Sequence, residues 1–126
     1  MKIDHVQIAM PEGGEGRARE FYAGILGMVE VEKPEALRVR GGCWFVLGSC
    51  HVHLGVEHDF RAAKKAHPAF VVDDLDALAE RLDDAQAPVK WDAQVAGVER
   101  LYSADPFGNR LEFIRAGHGF SEQEAS

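Results

Sequence analysis

The sequence predicts an α+β fold of two tandem β-α-β-β-β modules that form a curved mixed sheet around a cavity. Two observations carry that prediction. The order of strand and helix signals in the first half of the 126 residues recurs in the second. Residues of related chemistry also hold matching places: His5 and His67 open the two first strands, 62 residues apart, while His53 and Glu112 sit on the two last strands, 59 apart. Near-equal offsets point to a duplicated unit, with module one over 1–58 and module two over 66–116. Halves of this size are too small to fold alone, so 1–116 is read as one domain, followed by a loose tail over 117–126.

In module one, residues 2–10 read as a strand that is apolar on both faces, and 11–16 as a loop rich in glycine. Ala18, Phe21, Tyr22, Ile25 and Leu26 fall on one helical stripe, which predicts a helix over 17–26 stopped by Gly27. A short strand over 28–31 is ended by Pro34. Strands over 43–47 and 50–56 then pair across a two-residue turn at Gly48-Ser49. That turn sets Trp44 opposite His53, Val46 opposite His51, Leu47 opposite Cys50 and Cys43 opposite Leu54. Because strand side chains alternate between faces, Phe45, Leu47, Val52 and Leu54 make an apolar face for a helix. Trp44, Val46, His51 and His53 make a mixed face suited to a cavity wall. The same register keeps Cys43 and Cys50 apart, so both are expected as reduced thiols, with a thiol pair in a metal site as the sharper alternative.

Module two repeats the order. A strand over 68–72 is entered through His67. Leu75, Leu78, Ala79 and Leu82 are spaced i, i+3, i+4, i+7 behind Asp74, a good N-cap, so 74–82 is an amphipathic helix. Pro88 ends that segment and 89–91 begins a short strand. Strands over 100–104 and 110–115 flank the turn Asp105-Pro106-Phe107-Gly108-Asn109.

Composition removes several function classes. Net charge is −7, and no basic run exceeds Lys64-Lys65, so nucleic acid and anionic membranes are poor partners. The charged start Met1-Lys2-Ile3-Asp4 does not resemble a signal peptide, and no run of eighteen apolar residues is present. A soluble, cytoplasmic protein that binds a small molecule is the expectation. Arg38, Arg40, Arg61, Lys64 and Lys65 read first as a solvated rim.

His5, His53, His67 and Glu112 together form a ligand set for one divalent ion (Zn, Ni, Fe, Co or Mn), since three imidazoles and a carboxylate suit all of these. Taken singly, each strand histidine is read more simply as a satisfied core residue. Trp44, His51, Tyr102 and Phe107 are candidates to line the substrate cavity, with core packing or exposure as the plain reading of each. His58 and His118 read as surface residues, and Glu57 as a base only if its loop folds inward.

The motifs Ile3-Asp4-His5-Val6, Phe21-Tyr22-Ala23-Gly24-Ile25-Leu26-Gly27-Met28 and Asp105-Pro106-Phe107-Gly108-Asn109-Arg110-Leu111-Glu112-Phe113 resemble the vicinal oxygen chelate superfamily. Glyoxalase I, methylmalonyl-CoA epimerase, extradiol dioxygenases, fosfomycin-inactivating enzymes and bleomycin-binding proteins belong to it. The resemblance covers residues 1–115. It implies His5 and His67 as first-strand ligands and Glu112 as the final-strand carboxylate. His53 stands where glyoxalase I has a glutamate and the epimerase a glutamine, which weakens a literal glyoxalase I assignment. The resemblance also implies a homodimer, in which His5 and His53 of one subunit can meet His67 and Glu112 of the other.

These expectations combine into a metal-dependent lyase or isomerase of glyoxalase type acting on a small oxygenated metabolite. Glu112 is the catalytic candidate, releasing the ion to accept a proton. Two other readings stay open: a metal-free protein that sequesters an antibiotic-like molecule, and an Fe(II) ring-cleaving dioxygenase using His5, His67 and Glu112.

Overall fold

The structure is a computed structural model, and it describes residues 1–123. It contains two four-stranded mixed sheets of identical topology. β1 (Val6–Met10), β2 (Val29–Val31), β3 (Cys43–Leu47) and β4 (Cys50–Val56) lie in the order β1-β4-β3-β2. β5 (Ala69–Val72), β6 (Lys90–Asp92), β7 (Arg100–Ala104) and β8 (Arg110–Arg115) lie in the order β5-β8-β7-β6. In each sheet the first strand runs parallel to the last and the other pairs are antiparallel. The α+β fold and the duplication are therefore observed, and neither sheet closes on itself.

The hairpin register matches the sequence reading pair for pair: Trp44 faces His53, Val46 faces His51, Leu47 faces Cys50 and Cys43 faces Leu54. Both cysteines are free, and burial pushes the Cys43 thiol up to about 11. Phe45, Val52 and Leu54 are fully buried, and the Tyr22 ring stacks on Phe45 at 5.5 Å, so a helix does cover that face. Leu47 departs from the expectation. It lies beside the turn, beyond the helix, and is 53% exposed.

The covering helix starts as α1 (Glu15–Ala18) and passes directly into a π-helical stretch (Arg19–Ile25), slightly earlier than the predicted 17–26. Gly27, at φ +78°, stops it as expected: the Met28 N–H donates to the Tyr22 carbonyl and the Leu26 N–H to Phe21. In module two, Asp74 caps α3 (Leu75–Asp84) by accepting from the Ala77 N–H at 3.0 Å, and Leu75, Leu78 and Leu82 are buried. Arg81 of α3 donates to the Ile25 carbonyl, joining the helices of the two modules.

Three larger differences from the sequence reading stand beside shifts of one or two residues at other ends. β1 begins at Val6 rather than residue 2, because its parallel partner offers a ladder only from Val52 onward. A short α2 (Glu35–Arg38) follows Pro34, whose fixed φ favours a helix start. The tail expected to be loose includes α4 (Phe120–Gln123), while 124–126 lie outside the described residues.

The modules are joined by a buried polar knot. The Asp105 carboxylate accepts from the Tyr22 hydroxyl at 2.7 Å, from the Phe107 and Asn109 backbone N–H groups, and from Asn109 Nδ2. Asn109 Nδ2 also donates to the Ala9 carbonyl at 2.8 Å, and Asn109 Oδ1 accepts from the Ala63 N–H at 3.0 Å. Gly108, at φ +90°, lets the turn close.

Asn109→Ala removes three side-chain bonds made by a buried amide, to Ala9, Ala63 and Asp105, and is expected to cost about 3 kcal/mol at about one per bond. Tyr22→Phe, which leaves the other Asp105 donors in place, should cost about 1–2 kcal/mol. Urea unfolding of both variants measures this, and the reverse ranking would show that the knot is not organised around Asn109.

Candidate functional site

The mixed faces of the two sheets carry two clusters. In module one, His53 on β4 lies between two rings: Trp44 at 3.8 Å and 3° interplanar, and His5 at 4.1 Å and 20°. His5 sits one residue before β1, and its Nδ1 lies 2.8 Å from Asp4 Oδ2. His51 is exposed and flanks the same cluster. A groove of about 420 Å³ opens there, lined by His5, Trp44, His51 and His53. Burial, followed by the charges of His5 and His51, lowers the His53 pKa below the ordinary 6.5. Its ring therefore stays neutral at neutral pH, as a metal ligand must.

In module two, His67 precedes β5 and Glu112 lies on β8, 4% exposed. His67 Nε2 is 2.9 Å from Glu112 Oε1, and His67 Nδ1 is 2.8 Å from the Lys65 carbonyl oxygen. Both ring nitrogens thus face acceptors. With the Nδ1 hydrogen on Lys65, the Nε2 lone pair would point at a carboxylate oxygen, and the two repel unless a proton or a metal cation lies between them. A backbone carbonyl orienting the far nitrogen is the usual support of a histidine ligand. The spacing also fits: two ligands at right angles, each about 2.1 Å from one ion, lie about 3.0 Å apart. The donor set therefore suits a divalent ion.

The four predicted ligands fall into these two pairs. Among the described residues, no three His, Cys, Asp or Glu side chains are gathered to hold a metal. His5, His51 and His67 line a larger groove of about 810 Å³ that runs between β1 and β5. Tyr102 stands beside His67, with ring centroids 5.7 Å apart. Phe107 is placed elsewhere. It packs at the module seam against Phe60, under Arg17, and so close to Gly14 that a β-carbon there would lie 2.8 Å from its ring. His58, Glu57, Arg38, Arg40, Arg61, Lys64 and Lys65 are exposed.

Sequence reading missed the surroundings of Glu112. Arg100 donates from Nη1 to Glu112 Oε2 at 3.1 Å and pairs with Asp92 at 3.5 Å. The Arg100 and Arg110 guanidiniums lie 5.3 and 4.1 Å from the Tyr102 ring centre. Strand parity could have found both arginines, since Tyr102, already a candidate, faces Glu112, while Arg100 lies two residues before Tyr102 and Arg110 two before Glu112.

Residues 2–113 match the family model described as Glyoxalase/Bleomycin resistance protein/Dioxygenase superfamily. The chain belongs to that superfamily. A Bacillus anthracis protein provisionally assigned to the glyoxalase family is 48% identical, with a TM-score of 0.87 over 91% of this chain and 94% of that one. The fosfomycin resistance protein FosX of Listeria monocytogenes, in complex with Mn(II) and 1S,2S-dihydroxypropylphosphonic acid, is 14% identical at TM-score 0.78, covering 99% and 98%. Lactoylglutathione lyase from Agrobacterium tumefaciens is 21% identical at TM-score 0.64, covering 88% and 92%. These last two share the superfamily fold with this chain. A comparison with curated proteins finds no match. Among the described residues, no helix is long and apolar enough to cross a membrane.

Because the His53 pKa is lowered in the folded chain, the unfolded chain binds the extra proton first. Stability from this group is present above pH 6.5 and falls as pH drops below it toward the folded value. His5→Gln removes one neighbouring charge, so the His53 pKa should rise toward 6.5 in an NMR titration of metal-free protein. An unchanged value would mean that burial and the His51 charge set it without His5.

Proposed function

We propose that this protein is a metal-dependent lyase or isomerase of glyoxalase type, acting on a small oxygenated metabolite at a centre shared between two copies of the chain. One observation carries the reading: His67 Nε2 and Glu112 Oε1 stand 2.9 Å apart with the far ring nitrogen facing the Lys65 carbonyl, an arrangement that a metal cation satisfies as well as a proton does. His5 and His53 form a second pair of donors, and each pair lacks two ligands that the other has. A two-fold dimer would join the His5–His53 pair of one copy to the His67–Glu112 pair of the second, and symmetry would complete two identical centres at once.

His5, His53, His67 and Glu112 would hold the ion. When bound, it supplies Lewis-acid polarisation of a substrate oxygen. Glu112 is the residue to accept a proton, at Oε1, the oxygen that faces His67, while Arg100 holds Oε2. Trp44 and Tyr102 would wall the groove, and His51 would stand at its mouth.

A second reading is a metal-free binding protein. It is favoured by the fact that both Glu112 oxygens already have partners in the chain, His67 and Arg100. Metal content after purification without added metal separates the two readings, and an O₂ requirement would single out a dioxygenase built on His5, His67 and Glu112.

The shared centre has its own test. A copy carrying His5→Ala and His53→Ala is mixed with a copy carrying His67→Ala and Glu112→Gln, and subunits are exchanged. Each variant alone should lack metal and turnover. Random pairing makes half the dimers mixed, each with one intact centre, so about one quarter of wild-type metal and activity should return. No recovery despite demonstrated exchange would place each centre within a single chain. Glu112→Gln alone should abolish turnover while the fold persists, at a cost of about 1–3 kcal/mol for the lost partner of Arg100.

A further inference from the structure

Among the described residues, three arginines are less than fully exposed: Arg100, Arg110 and Arg115. Arg100 is held by Glu112 and Asp92, and Arg115 by Asp76 and Glu99. Arg110 differs. Its backbone N–H is fixed to the Ala63 carbonyl at 2.8 Å, and its guanidinium lies 4.1 Å over the Tyr102 ring, yet among the described residues no carboxylate or carbonyl accepts from that guanidinium. The chain has 21 acidic residues against 14 basic ones, so carboxylates are not scarce. Removing a guanidinium partly from water without an anion to pair with is costly, and such groups are ordinarily paired.

Its position gives that unspent charge a use. Arg110 lies two residues from Glu112 on β8, hence on the same face, and it lines the 810 Å³ groove together with His67. His67 touches the same Tyr102 ring at 5.7 Å, so the guanidinium and the His67–Glu112 pair share one wall. The Tyr102 ring holds the guanidinium in place. A stacked, planar fork offers two parallel N–H groups, which match the paired oxygens of a carboxylate or phosphoryl group better than an ammonium does.

We infer that Arg110 is an anion-recognition residue, and that the small molecule bound in the groove carries a carboxylate or phosphoryl group. The oxyanion rests on Arg110, and its reacting oxygens extend along the wall toward His67 and Glu112. That last placement rests on the catalytic reading proposed above; the anion site itself does not. Arg100 cannot offer the same fork, since its two terminal nitrogens face Glu112 and Asp92 and the Nε that lacks a partner is buried.

The test uses the full chain stripped of metal with chelator, at constant ionic strength in chloride. Acetate and inorganic phosphate are titrated against acetamide, a neutral shape match for acetate, while the arginine Nε–Hε signals are followed by NMR. Both anions should shift the Arg110 signal saturably, and acetamide should not. Arg110→Gln should weaken anion binding about tenfold or more, with Arg110→Lys between it and wild type because it keeps charge and loses the fork. Thermal melts check that the variants fold, and the lysine variant carries the test if the glutamine variant does not. Equal affinity in wild type and Arg110→Gln, or shifts confined to the exposed Lys64 and Lys65, would overturn the inference. The titration contains no metal, so a protein that binds anions at Arg110 but no metal contradicts the catalytic reading alone. A protein that binds metal but shows no anion effect contradicts this inference alone.

Discussion

The rest of the molecule depends on one buried carboxylate. Asp105 is 5% exposed and accepts four hydrogen bonds: two from its own turn, one from the Asn109 side chain and one from Tyr22 in the other module. A buried ionised group is tolerable only when its lone pairs are satisfied, so the turn is drawn into one shape and the helix of module one is pinned against it. The charge has a further effect: burial and Asp105 together push the Tyr22 hydroxyl well above its ordinary pKa, so it remains a donor at any physiological pH. Asn109 extends the knot to Ala9 at the end of β1 and to Ala63 in the connection between modules.

Function follows from where that knot lies. Ala9 belongs to β1, three residues past Val6, and Asn109 is three residues before Glu112. Fixing those two backbones sets the relation between the strands that His5 and Glu112 flank or occupy. The groove between β1 and β5 is lined by Ala9, Ala63 and Asn109 as well as by His5 and His67. The knot is therefore the floor of the groove whose walls carry the ionisable side chains. A fold with two weakly linked halves could not hold such a space open at a defined width.

What could be read from sequence was what local rules determine. The register of Trp44 against His53 follows from a two-residue turn and a period of two, and α3 follows from the leucine stripe behind Asp74. The grouping of His5 with His53 and of His67 with Glu112 followed from duplication. The knot left no such trace, because Tyr22 and Asp105 are separated by 83 positions and neither is unusual in its own segment. For Phe107 an aromatic side chain allows either a cavity wall or core packing, the plainer reading, and packing against Gly14 at the seam decides its place. Arg100 and Arg110 were legible by parity, but charged residues on a strand are ordinarily taken as its solvent face. Tyr102 and Glu112 between them turned that face inward.

The environment of Glu112 also says how a metal and a proton exclude one another. Lys65 holds one nitrogen of His67 and Glu112 the other, so the space between Nε2 and Oε1 admits a single positive particle. With a proton there, the module balances: His67 and Arg100 oppose Glu112 and Asp92. On the proposed function, replacing that proton by a divalent ion would add one net positive charge, and Arg110 adds another that no carboxylate among the described residues pairs with. His5 and His53 would complete the coordination as imidazoles and bring no negative charge to offset this excess. The surplus is positive although the chain as a whole carries −7. Such a pocket gains most from a partner that brings its own negative charge, and any neutral occupant would leave the guanidinium of Arg110 facing water in a groove that its binding had begun to dry.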